Sequence, residues 1–211
     1  MMPSSNLSVE IEVINKTQNI TLKNPRTHFY SGHSLSDPQP LVPPGSSSSC
    51  KFTSSSRFWG CTGVLAYEAD SFTMAICFSN AIHDDLFPVE MVLELSLDKV
   101  HRKDLETTYD RLVGSSKGSA NSSMFPCVIL TEDQQKAQLS HGPVTVTATM
   151  ARGRNIALRV EVEEVKTKKP WDVKSARSKR SEILRQLLRE ILAVLEPFGW
   201  PANPAGTSGT P

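Results

Sequence analysis

The most regular hydrophobic pattern in the chain lies in residues 60–96, where short apolar runs are separated by small or charged residues. The runs are residues 63–67, 72–78 and 89–95. In the third run the apolar residues alternate with Glu90 and Glu94. A period of two with aromatic and β-branched residues predicts strands that each have one buried face. A short polar turn and a longer loop connect the runs, as in an antiparallel sandwich.

The same alternation extends to both sides of this centre. Further strands are predicted at residues 8–14, 20–30, 125–130, 144–150 and 155–163. Residues 8–14 and 20–30 are separated by turn-forming residues, so the second is interpreted as the returning strand. The last two form a hairpin across a turn at residues 151–154. Residues 34–56 are rich in Ser and Pro and are interpreted as a surface loop that holds at most one edge strand.

Two segments have helical periodicity instead. Apolar residues spaced at three and four predict a short helix over residues 100–113, lying on the sandwich. Residues 174–197 predict a longer amphipathic helix that Pro197 ends. Its apolar stripe is Ile183, Leu184, Leu187, Leu188, Ile191, Leu192 and Leu195. Its basic residues are Lys174, Arg177, Lys179, Arg180 and Arg185.

These elements predict a mainly β fold: an antiparallel β-sandwich with one short flanking helix and an added C-terminal amphipathic helix. The length of 211 residues suits one sandwich domain with a core of its own. The predicted division is a disordered N-terminus at 1–7, the sandwich at 8–165, a linker at 166–173, the helix at 174–197 and a disordered tail at 198–211.

Charge is unevenly distributed although the formal net charge is only +1. Residues 1–150 hold 11 Lys and Arg against 15 Asp and Glu, whereas residues 151–190 hold 12 against 6. A near-neutral chain gives no indication of a nucleic-acid partner. Neither a signal-peptide pattern nor a membrane-spanning apolar run is visible, which predicts a cytoplasmic or peripheral membrane protein. Secretion by another route stays open.

No catalytic pattern is present in the sequence. The chain lacks GxSxG, P-loop and HExxH motifs, and its five histidines are scattered. Its four cysteines show no CxxC spacing. We therefore expect no enzyme activity, no metal site and no cofactor.

The central segment also resembles a known family. The sequence GVLAY at 63–67, a strand that ends in Phe78-Ser79, and a further strand after a loop are similar to the core of the actinoporins. These are the sea-anemone pore-forming cytolysins and their vertebrate relatives. Residues 8–31 resemble the family's opening strands and residues 149–165 its closing hairpin. The resemblance implies a β-sandwich that binds membranes.

The resemblance further implies a lipid-headgroup site. Actinoporins bind the phosphocholine headgroup of sphingomyelin in a pocket of serine hydroxyls and tyrosine rings, which hold the quaternary ammonium by cation–π attraction. The matching positions in this sequence are Ser31, Thr62, Ser79, Phe87 and Tyr109. Thr62 takes the place of a small apolar residue of the family, and Phe87 that of a tyrosine.

Two function classes remain open. The first is a membrane-binding protein with phosphocholine or anionic lipid as its partner. Pore formation belongs to this class, but the family's pore is lined by a helix before the first strand, and we expect none in residues 1–7. The second class is a soluble interaction module. In that case the C-terminal amphipathic helix would bind a protein partner or a second copy of the chain.

Overall fold

The computed structural model describes residues 7–55, 60–81, 91–116 and 125–165. Within these ranges the chain forms two β-sheets and one α-helix. The first sheet contains β1 (Ser8–Asn15), β3 (His33–Ser36), β5 (Ser47–Thr53), β10 (Lys136–His141), β11 (Val144–Ala151) and β12 (Asn155–Glu164). The second contains β2 (Leu22–Ser31), β4 (Leu41–Val42), β6 (Cys61–Glu68), β7 (Thr73–Asn80), β8 (Met91–Ser96) and β9 (Cys127–Leu130). The predicted mainly β sandwich is confirmed.

The strand order explains how the two sheets are built. The first sheet runs β10-β11-β12-β1-β5-β3, and the second runs β4-β2-β6-β7-β8-β9. The predicted hairpin of β11 and β12 is present. Neighbouring strands are antiparallel except β1 and β12, which pair in parallel along their whole shared length. Strands from the two ends of the domain therefore lie side by side at the centre of the first sheet.

Two predictions about the N-terminal part are wrong. Strand β2 does not return beside β1 but enters the other sheet, where it pairs with β4 and β6. The partner of β1 is instead β5, which lies in the Ser-rich segment interpreted as a loop. In β5, Ser48, Cys50 and Phe52 are buried in alternation with more exposed residues. Serine side chains are small enough to lie on either the buried or the exposed face of a strand. The serines of β5 therefore show no alternation of apolar and polar residues in the sequence.

The core between the sheets includes a cluster of three aromatic rings. Phe52 of the first sheet stacks on Phe78 of the second, with ring centroids 5.0 Å apart. Phe29 contacts Phe52 edge-on at 5.1 Å. Aromatic pairs at such distances stabilise a core beyond the area they bury. The cluster therefore joins the two layers at one end of the sandwich.

The outer faces of the two sheets differ. Strands β6, β7 and β8 of the second sheet are buried on both faces, so the expectation of one buried face is wrong for them. The reason is the helix α1 (Leu105–Ser116), which packs on the outer face of this sheet. Its contacts are to Val64, Ala66, Ala75, Cys77 and Val92. The central strands therefore have apolar residues on both sides.

Helix α1 follows a single 3-10 turn at Val100–Arg102. The side chain of Asp104 precedes the helix and accepts hydrogen bonds from the backbone N–H of Glu106 at 2.9 Å and the hydroxyl of Thr107 at 2.7 Å. These bonds satisfy donors that the first turn leaves without partners. They also hold the pKa of Asp104 below its usual value.

The linker, the C-terminal helix and both predicted disordered ends lie outside the described residues, except for Leu7. The predictions for residues 166–211, with the apolar stripe and the basic residues, therefore stay predictions. Among the residues that are described, no helix is long and apolar enough to cross a membrane.

The aromatic cluster gives a stability prediction. We expect Phe52→Ala to lower the free energy of unfolding by about 3–5 kcal/mol, because a fully buried ring is replaced by a cavity between the sheets. Leu35→Ala is the control, since Leu35 is exposed in β3 and its truncation should cost no more than about 0.5 kcal/mol. Urea denaturation measures both. Equal midpoints for the two variants would contradict the role of the cluster.

Candidate functional site

Three hydroxyl-bearing residues form a row across the second sheet. Ser31 of β2 pairs with Thr62 of β6, and Thr62 pairs with Ser79 of β7. Thr62 lies two residues from Val64, and Ser79 lies two residues from Cys77, so each pair shares a face of the sheet. Val64 and Cys77 both contact α1. The row therefore lies on the helix-bearing face, at the end of the sheet where β6 begins and β7 ends. Sequence resemblance selected these residues, and the strand register brings them together.

The hydroxyls of the row differ in their hydrogen bonding. Ser31 Oγ donates to the backbone carbonyl of Gly60 at 2.8 Å. Thr62 Oγ1 and Ser79 Oγ are buried and have no hydrogen-bond partner among the described residues. Leaving a buried hydroxyl without a partner costs about 1–3 kcal/mol, so such groups in a native structure require an explanation. Two of them lie on adjacent strands of this sheet.

Tyr109 of α1 lies beside Thr62 of this row. Its side chain is buried, with 5% of the residue exposed. Burial raises the pKa of the Tyr109 hydroxyl to about 12, and the nearby Thr62 hydroxyl offsets only part of the increase. The two hydroxyls lie near each other but do not meet hydrogen-bond geometry. Tyr109 therefore stays a neutral phenol at physiological pH.

The ring of Tyr109 has two aromatic neighbours. Tyr30 stacks on it with ring centroids 5.6 Å apart and planes 13° apart. The ring of His28 lies 6.1 Å from that of Tyr109, tilted by 50°. Sequence reasoning missed Tyr30 as a site residue, although it directly precedes Ser31. Its position next to Ser31 was the only signal in the sequence. Regular alternation along β2 would place Tyr30 and Ser31 on opposite faces of the sheet.

Helix α1 is held on the sheet by a buried carboxylate. Glu94 of β8 is 0% exposed, and both of its oxygens accept hydrogen bonds from the guanidinium of Arg111. His101 Nε2 lies 2.8 Å from Glu94 Oε1. The Arg111 guanidinium also faces the ring of Phe125, 5.3 Å from its centroid. One carboxylate thus fixes the helix and the 3-10 turn before it.

The surroundings of Glu94 act on its ionisation in opposite directions. Burial by itself raises the pKa of the carboxyl group, but hydrogen bonds from Arg111 and His101 outweigh burial and leave the pKa below its usual value. Glu94 is therefore ionised at neutral pH. Its charge is compensated inside the protein, as a buried ion pair requires.

The remaining predicted site residues cannot be placed. Phe87 lies in residues 82–90, outside the described ranges. The structure thus brings together Ser31, Thr62, Ser79 and Tyr109 and leaves Phe87 a prediction. In the described part of the chain, no group of three or more His, Cys, Asp or Glu residues could hold a metal ion.

Comparison with solved structures adds information on the fold. The fold resembles that of a lipid-binding protein. The match is to the lipid-binding protein Nakanori, with a TM-score of 0.56 and 12% identity over 74% of this chain and 70% of that one. A Xerocomus chrysenteron lectin, XCL, matches with a TM-score of 0.44 and 10% identity over 74% of this chain and 99% of that one. At such low identity the likeness to Nakanori shows the fold alone.

The sequence comparisons found no relative. No protein-family model matches the chain, and no curated protein sequence matches it. The actinoporin resemblance therefore finds support at the level of a β-sandwich, while membership of that family is not shown.

The buried carboxylate gives a second stability prediction. We expect Arg111→Met to lower the free energy of unfolding by about 3–5 kcal/mol at pH 7. The variant leaves the carboxylate of Glu94 buried without the positive charge of Arg111 beside it. Lys23→Met is the control. It removes an ion pair with the exposed Asp70, and such pairs contribute little.

The pH dependence of the two proteins should differ. The lowered pKa of Glu94 stabilises the wild type above the unfolded-state value, and this stabilisation is lost as the pH falls through the folded-state pKa. In Arg111→Met, burial favours the protonated carboxyl, so acid harms the variant less. The stability difference should shrink as the pH falls below about 4.5, the ordinary pKa of Glu. Denaturant titrations at several pH values measure it, and a difference that grows in acid would contradict the assignment.

Proposed function

We propose that this protein binds membrane lipids through phosphocholine headgroups, at the site formed by Ser31, Thr62, Ser79 and Tyr109. The observation that carries the proposal is the pair of buried hydroxyls, Thr62 Oγ1 and Ser79 Oγ, that have no partner in the described ranges and lie beside a stacked tyrosine pair. Hydroxyl donors and aromatic faces are the two chemistries that a phosphocholine group requires. The similarity in fold to a lipid-binding protein is in keeping with this proposal.

The phosphate part of the headgroup would use the hydroxyls. A phosphate oxygen carries negative charge and accepts hydrogen bonds from O–H donors, and such charge-assisted bonds are stronger than neutral ones. Ser79 is half-buried, whereas Thr62 lies deeper. We infer that Ser79 meets the phosphate first and Thr62 completes the contact. The hydroxyl of Ser31 already donates to the carbonyl of Gly60, so Ser31 would hold the backbone at the edge of the site in place.

The choline part would use the tyrosines. A quaternary ammonium has no N–H group and is attracted to the electron-rich face of an aromatic ring. Phosphoethanolamine has the same phosphate but a primary ammonium that prefers water and hydrogen-bond acceptors. The proposed site should therefore favour phosphocholine. The proposal ends at headgroup binding, because nothing in the described residues adds support for pore formation.

Vesicle flotation tests this proposal with a matched pair of variants. Thr62→Val should weaken binding to phosphatidylcholine vesicles by roughly ten- to hundredfold, the equivalent of one hydrogen bond to a charged group. Thr73→Val is the control, because Thr73 Oγ1 is also buried without a partner but lies at the other end of β7. Neither variant should be less stable than the wild type by urea denaturation.

The choice of vesicles makes the outcome decisive. Phosphatidylethanolamine vesicles with the same acyl chains should bind weakly. Vesicles of phosphatidylethanolamine with an anionic lipid report attraction by the basic C-terminal residues, which salt should weaken. Binding that follows anionic charge and is indifferent to Thr62→Val would contradict the proposed headgroup site.

A further inference from the structure

We propose that Tyr30 is the residue whose ring contacts the quaternary ammonium, and that Tyr109 supports this ring without touching the ligand. The inference rests on the proposed function and names the residue of that site that determines choline specificity. Tyr30 was not among the residues that the family resemblance selected.

A break in the strand register brings Ser31 to the same face of the sheet as Tyr30. Phe29 pairs with Gly63 while Ser31 pairs with Thr62, so Tyr30 is an extra residue in β2. Phe29 packs into the core between the sheets. Without the bulge, Ser31 would also face the core, because neighbouring residues in a regular strand point to opposite faces. A bulge changes the direction of a side chain in this way, and bulges are frequent next to binding sites.

The two stacked tyrosines differ in their exposure to solvent. Tyr30 is 60% exposed, whereas Tyr109 is 5% exposed. The planes are nearly parallel, so each ring covers one face of the other. Tyr109 also lies near His28 and packs with buried residues of the sheet and the helix. The accessible aromatic face of the pair therefore belongs to Tyr30.

The buried partner makes Tyr30 a better binding surface. An exposed tyrosine on a strand normally loses rotamer freedom when it binds a ligand, and that loss weakens affinity. Stacking on Tyr109, which the helix and the sheet hold in place, restricts the ring of Tyr30 before binding. A single face cannot enclose the ammonium, so the contribution should be that of an exposed cation–π contact.

The three tyrosines of the chain allow a direct measurement by NMR. The probe is soluble phosphocholine, added to protein with isotope-labelled tyrosine rings. We expect an NOE from the N-methyl protons to the ring protons of Tyr30, weak or absent at Tyr109, and absent at Tyr67. Tyr67 is the internal control, because it is buried in the core with its hydroxyl near Ser48. The single Tyr→Phe variants assign the three signals.

Variants of Tyr30 distinguish the effect of an aromatic ring from that of an apolar side chain of any kind. Tyr30→Phe keeps the aromatic face and should bind phosphatidylcholine vesicles within about twofold of the wild type. Tyr30→Leu keeps an apolar side chain without a ring and should bind roughly three- to fivefold more weakly. Replacing phosphocholine by 3,3-dimethylbutyl phosphate, which has the same shape without the positive charge, should remove the difference between the two variants.

The results distinguish failure of this inference from failure of the proposed function. A wild type that binds neither phosphatidylcholine vesicles nor soluble phosphocholine would overturn both. If the wild type binds and Thr62→Val weakens it, the headgroup site stands. In that case, equal binding by Tyr30→Leu and Tyr30→Phe, or a stronger NOE at Tyr109 than at Tyr30, would overturn the role of Tyr30 alone.

Discussion

The outer layer of the second sheet depends on one buried charge, the carboxylate of Glu94. An ionised carboxyl group in a protein interior is tolerated only when its charge and its lone pairs are satisfied. Here Arg111 from the helix and His101 from the preceding 3-10 turn supply the donors. The need to compensate this charge fixes the orientation of α1, which apolar contacts alone would leave free to slide and rotate.

The position of the helix in turn creates the candidate site. Arg111 secures α1 on the β8 side, while Tyr109 lies towards β2 and β6, where it contacts Tyr30 and His28. The hydroxyls of Thr62 and Ser79 become buried at this end of the sheet, with no partner in the part of the chain that the structure describes. The Glu94–Arg111 ion pair holds the helix in place, and the hydroxyls of Thr62 and Ser79 lie away from it. A rigid scaffold that presents polar groups in this way is typical of a binding site.

Local pattern was sufficient for the strands whose burial alternates. Residues of β11 and β12 alternate between buried and more exposed positions, and their hairpin follows from the sequence alone. Family resemblance selected Ser31, Thr62, Ser79 and Tyr109, but only the register of β2, β6 and β7 makes the three hydroxyls neighbours. That Ser31 and Tyr30 share a face could not be predicted, because a bulge is a property of two paired strands and leaves no periodic signal in one of them.

By itself the sequence determined the class of fold, since alternating hydrophobicity is a local property of each strand. Tertiary structure decided which face of each strand meets water. Glu94 alternates with apolar neighbours and would be assigned to a solvent-exposed face, yet it is fully buried because helix α1, which follows β8 in the chain, folds back over that face. Likewise β5 contains three serines, and its place in the interior of the first sheet follows only from pairing with β1 and β3. Pairing and layer packing join residues far apart in the chain, so no local pattern contains them.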